Sequence, residues 1–188
     1  MKISDAHPDI LYVEKHEDLH IVRTHRKGNG DIMNTDSIRK LLESDAFLRM
    51  KYFTQHGETS TYTHSLAVAY YSHKLCKSLL RFGWKTDENS LVRGALLHDF
   101  FLYDWHNRSE KHRLHGFNHP MHALINAREF FPVNTVEADI IERHMWPLTL
   151  TKLPRHRETV IVCTVDKFCS LREIVGHKYS KPFVFEGI

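Results

Sequence analysis

Leu91-Val-Arg-Gly-Ala-Leu-Leu-His-Asp-Phe-Phe-Leu-Tyr103 is the stretch whose reading decides the fold. Ahead of the His98-Asp99 pair it is apolar and has the spacing of a helix bound for a core. Leu91, Ala95, His98 and Leu102 fall on one helical face, and Asp99 lies about 100° round from His98. An imidazole and a carboxylate in such company need a partner, a hydrogen bond or a metal ion, because an unpartnered buried charge is too costly to keep. The other groups must come from elsewhere in the chain.

Upstream, a helix starts near Thr59 to Thr61 and continues to about Phe82. Its face is His64, Ala67, Val68, Tyr71 and Leu75, at i, i+3, i+4, i+7 and i+11. Gly83 ends it, and Thr86 or Asp87 caps the helix that carries His98. Earlier still, Thr35 or Asp36 opens a helix to about Met50 with Ile38, Leu41 and Leu42 inward and a break near Ser44-Asp45. Lys51 to Ser60 reads as a loop.

Downstream, Tyr103 to Phe117 is rich in charge and histidine, has no period and reads as a loop. Asn118-His119-Pro120 begins a helix, since proline suits a first turn where its missing N–H is harmless. That helix runs through Ala123, Ala127 and Phe130 and ends before Pro132. Asn134 or Thr135 opens another, with Val136, Ile140, Ile141 and His144 at helical spacing, stopped by Trp146-Pro147. A last helix, Arg157 to Val175, presents Thr159, Val162, Cys163, Asp166 and Ser170 and closes at Gly176. No strand pattern follows residue 35. The class is therefore all-α, a compact helical bundle over 35–176. Residues 1–34 form an irregular N-terminal extension with short extended pieces at Ile10–Val13 and Leu19–Val22, and 177–188 form a C-terminal tail.

A chain of 188 residues fits one domain with a sizeable core. No apolar run approaches the roughly 20 residues needed to span a membrane, and the N-terminus lacks a signal-peptide core, so the cytoplasm is the expected compartment. Cys76, Cys163 and Cys169 are at no metal-like spacing and read as small apolar residues. A net charge of +3 is too weak to argue a nucleic-acid polymer as partner and slightly favours a small anionic ligand. The outlier is histidine, with 16 copies; their positions carry the information.

His64, His98-Asp99, His119, His144 and Asp166 lie on separate helices or at their ends, each beside apolar faces. Four imidazoles and two carboxylates are a ligand set for one or two divalent ions. A carboxylate has two oxygens and can bridge two ions, whereas an imidazole cannot. The order resembles that of the HD-domain superfamily of metal-dependent phosphohydrolases, H…HD…D, extended in two-metal members to H…HD…H…H…D. Thr63-His64-Ser65, Leu97-His98-Asp99, His119-Pro120, His144 and Asp166-Lys167 carry the resemblance, which covers roughly Gln55 to Glu173. It implies that His64, His98, Asp99 and Asp166 hold a first metal. Asp99 would bridge to a second, completed by His119 and His144.

Many family members follow the HD pair with glycine and lysine, where this chain has Phe100-Phe101-Leu102. Any phosphate contact must then come from elsewhere. Lys167 and His115 are candidates beside Asp99 for catalytic roles; His56, Arg113 and Lys167 are candidates for binding substrate, with Arg155 a further cation. Trp146 is a candidate for the mouth of the site. Each of these also has a plain structural role open to it, as a surface charge, a helix cap or a packing residue.

The activity implied by the resemblance is hydrolysis of a phosphate ester of a nucleotide or similar small metabolite by a metal-activated water. Two divalent transition-metal ions are implied, iron or manganese first, with zinc, magnesium, nickel or cobalt as alternatives. The chain is also a candidate homo-oligomer. The same ligand set occurs in diiron oxygenases of the myo-inositol oxygenase type, and a non-catalytic ligand-sensing domain is a third reading.

Overall fold

A computed structural model of the chain describes residues 10–13, 20–23, 35–103, 115–177, 179 and 183–186. Helices dominate them: α1 (Thr35–Glu43), α2 (Asp45–Leu48), α3 (Thr61–Leu80), α4 (Glu88–Leu97), α5 (His115–Phe130), α6 (Thr135–Arg143) and α7 (Arg157–Ile174), with a 3-10 turn at Arg49–Tyr52. The expected mostly helical class is what the chain adopts. Among the described residues no helix is long and apolar enough to cross a membrane.

The helix starts follow their caps. Ser44 breaks α1 from α2 and accepts a hydrogen bond from the Phe47 backbone N–H. Ser60 caps α3 through Thr63, and Asp87 caps α4 through Ser90. Asn134 and Glu137 form a reciprocal capping box on α6. At the centre lies α3, packed against α4 and α7, while α6 lies across α4 and α7. The core joins Ile38, Leu41 and Phe47 of α1 and α2 to Leu66 and Val68 of α3, Leu91 and Leu96 of α4, Ile140 and Ile141 of α6, and Val162 of α7. Gly94 sets the distance between α4 and α6, because a Cβ there would lie 2.5 Å from Ile140 Cδ1.

Three expectations about local structure change. The 51–60 loop contains a small hairpin, β3 (Thr54–His56) against β4 (Thr59–Ser60), turned at Gly57 with φ +58°. Strands therefore do follow residue 35, and a further one, β5 (Val184–Glu186), runs parallel to β2 (His20–Arg23). β2 in turn pairs antiparallel with β1 (Ile10–Val13). Runs of two to four residues are too short to carry a visible alternation.

The second change is that α4 stops at Leu97, so His98 is its C-cap and Asp99 lies beyond it. Leu102, assigned by periodicity to the same helix, has φ +52°, a left-handed backbone that costs a leucine about 1–2 kcal/mol. Third, α5 begins at His115 and not at Asn118, which puts Pro120 in its second turn; the missing N–H leaves the Gly116 carbonyl without its helical partner. Phe130 closes α5 ahead of Pro132, as expected. The stretch 104–114, within the loop expected before α5, lies outside the described residues.

Candidate metal centre

His64 stands in the first turn of α3, His98 and Asp99 at the end of α4, His119 on α5, His144 at the end of α6 and Asp166 on α7. All six are buried, and they converge on one place. Asp99 is at its middle. Its Oδ2 lies 3.3 Å from His98 Nε2 and 3.7 Å from His64 Nε2, while its Oδ1 lies 3.1 Å from His119 Nε2 and 3.4 Å from His144 Nε2. Asp166 Oδ1 closes the first group, 3.2 Å from His64 Nε2 and 3.8 Å from His98 Nε2. The Nε2 atoms of His119 and His144 are 2.8 Å apart.

These separations suit metal ligation. Two donors about 2.1 Å from one ion lie about 3.0 Å apart at right angles and about 3.4 Å apart at a tetrahedral angle. The ring orientations agree. His98 Nδ1 donates to the Ala95 carbonyl at 2.7 Å, and His144 Nδ1 donates to the Ile141 carbonyl at 2.9 Å. Each imidazole thus satisfies one of the carbonyls left open at the end of its own helix, and its Nε2 lone pair is turned into the cluster. His98 Nε2 and Asp99 Oδ1 are buried with no hydrogen-bond partner among the described residues. The C-terminal ends of α4 and α6 both point their partial negative charge at the site, which favours a cation there.

Electrostatics in the protein alone are those of carboxylates holding protons on neighbouring rings. Burial by itself would lower the His64 and His98 imidazoles. Hydrogen bonds to Asp166 and Glu173 raise His64 to about 9, and the Asp99 and Asp166 carboxylates raise His98 to about 10. Burial opposes ionisation of Asp99 and Asp166, but the facing imidazoles hold both well below the usual carboxylate range. Burial pushes His144 well below 6.5, so its ring is neutral. A neutral His144 with its proton on Nδ1 offers only a lone pair to His119 Nε2. A contact of 2.8 Å between those nitrogens therefore needs a shared proton or a cation.

A cavity of about 510 Å³ opens onto Asp99, His119, His144 and Asp166 of the cluster, and Gln55, His56, Lys167, Ser170, Met145, Pro147 and Leu148 complete its lining. His56 is half-buried on its wall, and burial together with the nearby His64 lowers its pKa. Lys167 Nζ donates to Asp166 Oδ2 at 2.7 Å and to the His144 carbonyl at 2.8 Å, which ties α7 to the end of α6. Trp146 does not line the cavity, although its neighbours Met145, Pro147 and Leu148 do. Arg155 is exposed and does not line the cavity; its backbone N–H donates to Asp139. The backbone of His115 opens α5, but its side chain lies outside the described residues, as does the whole of Arg113.

Two further residues join the site. Gln55 on β3 donates from Nε2 to Asp99 Oδ2 at 2.6 Å, and Glu173 places both carboxylate oxygens 3.0 Å from His64 Nδ1. Alternation in β3 turns Gln55 inward between exposed Thr54 and half-buried His56. Glu173 lies seven residues after Asp166 on the face already marked by Asp166 and Ser170, so its position was available from helical spacing.

A family model described as HD domain matches residues 61–171, more than half of the chain and all six clustered residues. No curated protein and no solved structure matches the chain. HD domains bind divalent metals, and His64, His98 and Asp99, like Asp99, His119 and His144, form groups that could hold one. The chain belongs to the HD domain family.

Proposed function

We propose that the protein is a two-metal phosphohydrolase acting on the phosphate ester of a nucleotide or similar small metabolite. The observation that carries this reading is Asp99, whose two oxygens face separate groups, Oδ2 toward His64 and His98 and Oδ1 toward His119 and His144. His64, His98, Asp99 and Asp166 would hold one ion, and Asp99, His119 and His144 the other, with iron or manganese first among the candidates. Bound there, the ions would supply Lewis acidity toward a phosphoryl group and a water activated near neutral pH.

The remaining residues bind and orient. Lys167, held by Asp166 and the His144 carbonyl, puts a fixed positive charge at the edge of the cluster, where negative charge grows during phosphoryl transfer. It takes the part that a lysine after the HD pair plays in many relatives. Gln55 holds the bridging carboxylate from the cavity side. Met145, Pro147 and Leu148 offer an apolar wall to the uncharged part of an ester and keep bulk water off that side. His115 and Arg113 remain candidates for further contacts to phosphate. The reading carries with it a compartment, the cytoplasm, and a small-molecule partner in place of a membrane or a nucleic-acid polymer.

The test is a screen of the metal-loaded protein against mononucleotides, dinucleoside polyphosphates, cyclic dinucleotides and guanosine polyphosphates, with phosphate or nucleotide release as the readout. Release that requires the metal and proceeds without oxygen is expected. Iron-dependent oxygen uptake with a polyol or phosphonate, and no hydrolysis, would replace this reading with an oxygenase.

A further inference from the structure

We propose that Glu173 and Tyr179 act as a positioning relay for His64, making the C-terminal tail a working part of the metal centre. The inference rests on the reading of His64 as a metal ligand. His98 and His144 each anchor Nδ1 on a carbonyl of the helix they terminate. His64 cannot use that device, because it stands at the start of α3 and terminates no helix. It turns Nδ1 across the core to α7, where both oxygens of Glu173 lie at 3.0 Å and both side chains are fully enclosed.

Glu173 is held in turn. The Tyr179 hydroxyl donates to its Oε1 at 2.8 Å. Tyr179 lies past the end of α7, where Gly176 turns the chain back with φ +82°. Its ring packs 5.2 Å from that of Phe183 and 6.5 Å from Tyr71, with the Arg172 guanidinium 5.2 Å from its centroid. Phe183 is buried and also meets Tyr70 on α3. The next residues form β5, which pairs with β2 near the other end of the chain. A continuous path of contacts therefore runs from the docked tail through Tyr179 and Glu173 to a ring nitrogen of His64.

The path has a chemical consequence. A carboxylate on Nδ1 keeps the proton on that nitrogen, fixes the ring plane and leaves the Nε2 lone pair for a cation. Without it the ring is free to turn and to carry its proton on Nε2, the nitrogen that faces Asp99 and Asp166. Outer partners of this kind are worth about 10–100-fold in metal affinity. A merely structural role for Glu173 would instead affect folding with or without metal.

The experiment is titration of the full chain with Mn²⁺, and separately with Zn²⁺, by calorimetry. Wild type is compared with Glu173→Leu, Glu173→Gln and Tyr179→Phe. Melting temperature is recorded for each in chelator and in saturating metal. Glu173→Leu is expected to bind about 10–100-fold more weakly. Glu173→Gln should lose less, since its amide oxygen still accepts from Nδ1, and Tyr179→Phe should lose least but measurably. Tyr179→Phe should melt somewhat below wild type in chelator, having lost a hydrogen bond to a buried carboxylate, and gain less from metal. Wild-type affinity in both Tyr179→Phe and Glu173→Gln would overturn the relay even if the leucine variant fails to fold. Wild type that binds neither ion would overturn the metal reading itself, and the relay with it.

Discussion

Asp99 is the residue on which the site depends. It is buried, its oxygens face different histidine pairs, and its Oδ1 has no hydrogen-bond partner among the described residues. Asp99→Asn keeps the shape and removes the charge, and an amide cannot bridge two cations as a carboxylate does. It is expected to lose metal uptake and turnover together while its far-UV circular dichroism stays that of wild type; elemental analysis beside a phosphatase assay checks this. Gln55 acts one step further out. Gln55→Leu removes the 2.6 Å bond to Asp99 Oδ2 and should weaken metal binding about tenfold, read by calorimetric titration. The six clustered residues were legible because each lies on a helix or at its end beside apolar faces, in the order that the resemblance to HD domains implies. Gln55 was not, since a glutamine in a three-residue strand breaks no pattern.

Elements place these residues through their ends. α4 and α6 each stop at a histidine whose Nδ1 closes the helix and whose Nε2 enters the site, so helix termination and ligand orientation are one event. Periodicity located both helices but continued α4 through Leu102, because nothing in Phe100-Phe101-Leu102 is a helix breaker. Leu102 is left-handed and packs against the core, and no glycine or asparagine announces the turn. Pro120 misled in the opposite direction, since a proline is equally readable as a first-turn residue and as one tolerated further in. Glu173 lay on a face already read and fell just past its last marked residue. The spacing of α4 against α6 depends on Gly94. In Gly94→Ala the new methyl would meet Ile140 Cδ1 at 2.5 Å and its Cβ at 3.1 Å, so the Ile140 side chain must turn and α6 must give by a few tenths of an ångström. Destabilisation of about 1–3 kcal/mol is expected, measured by urea unfolding, with weaker metal binding because α6 carries His144.

At the scale of the molecule, helices α3 to α7 enclose a cluster whose charge balance depends on pH. The imidazoles of His64 and His98 are raised above their ordinary 6.5, to about 9 and about 10. Protons on them stabilise the metal-free fold fully below pH 6.5, and that contribution is lost as pH rises through 9 and 10. A cation must displace the same protons. Metal affinity should therefore climb from pH 6 to about 10, with protons released on binding; calorimetry in buffers of different ionisation enthalpy reads that release directly. Affinity independent of pH over this range would show that these rings carry no proton for the metal to displace. The central claim is that Asp99 bridges two ions. It is tested most directly by anomalous diffraction from crystals grown with Mn²⁺. Two peaks about 3.5–4 Å apart are expected, one beside Asp99 Oδ2 with His64, His98 and Asp166, the other beside Oδ1 with His119 and His144. Manganese that binds the protein but gives no peak against Asp99 would contradict the claim.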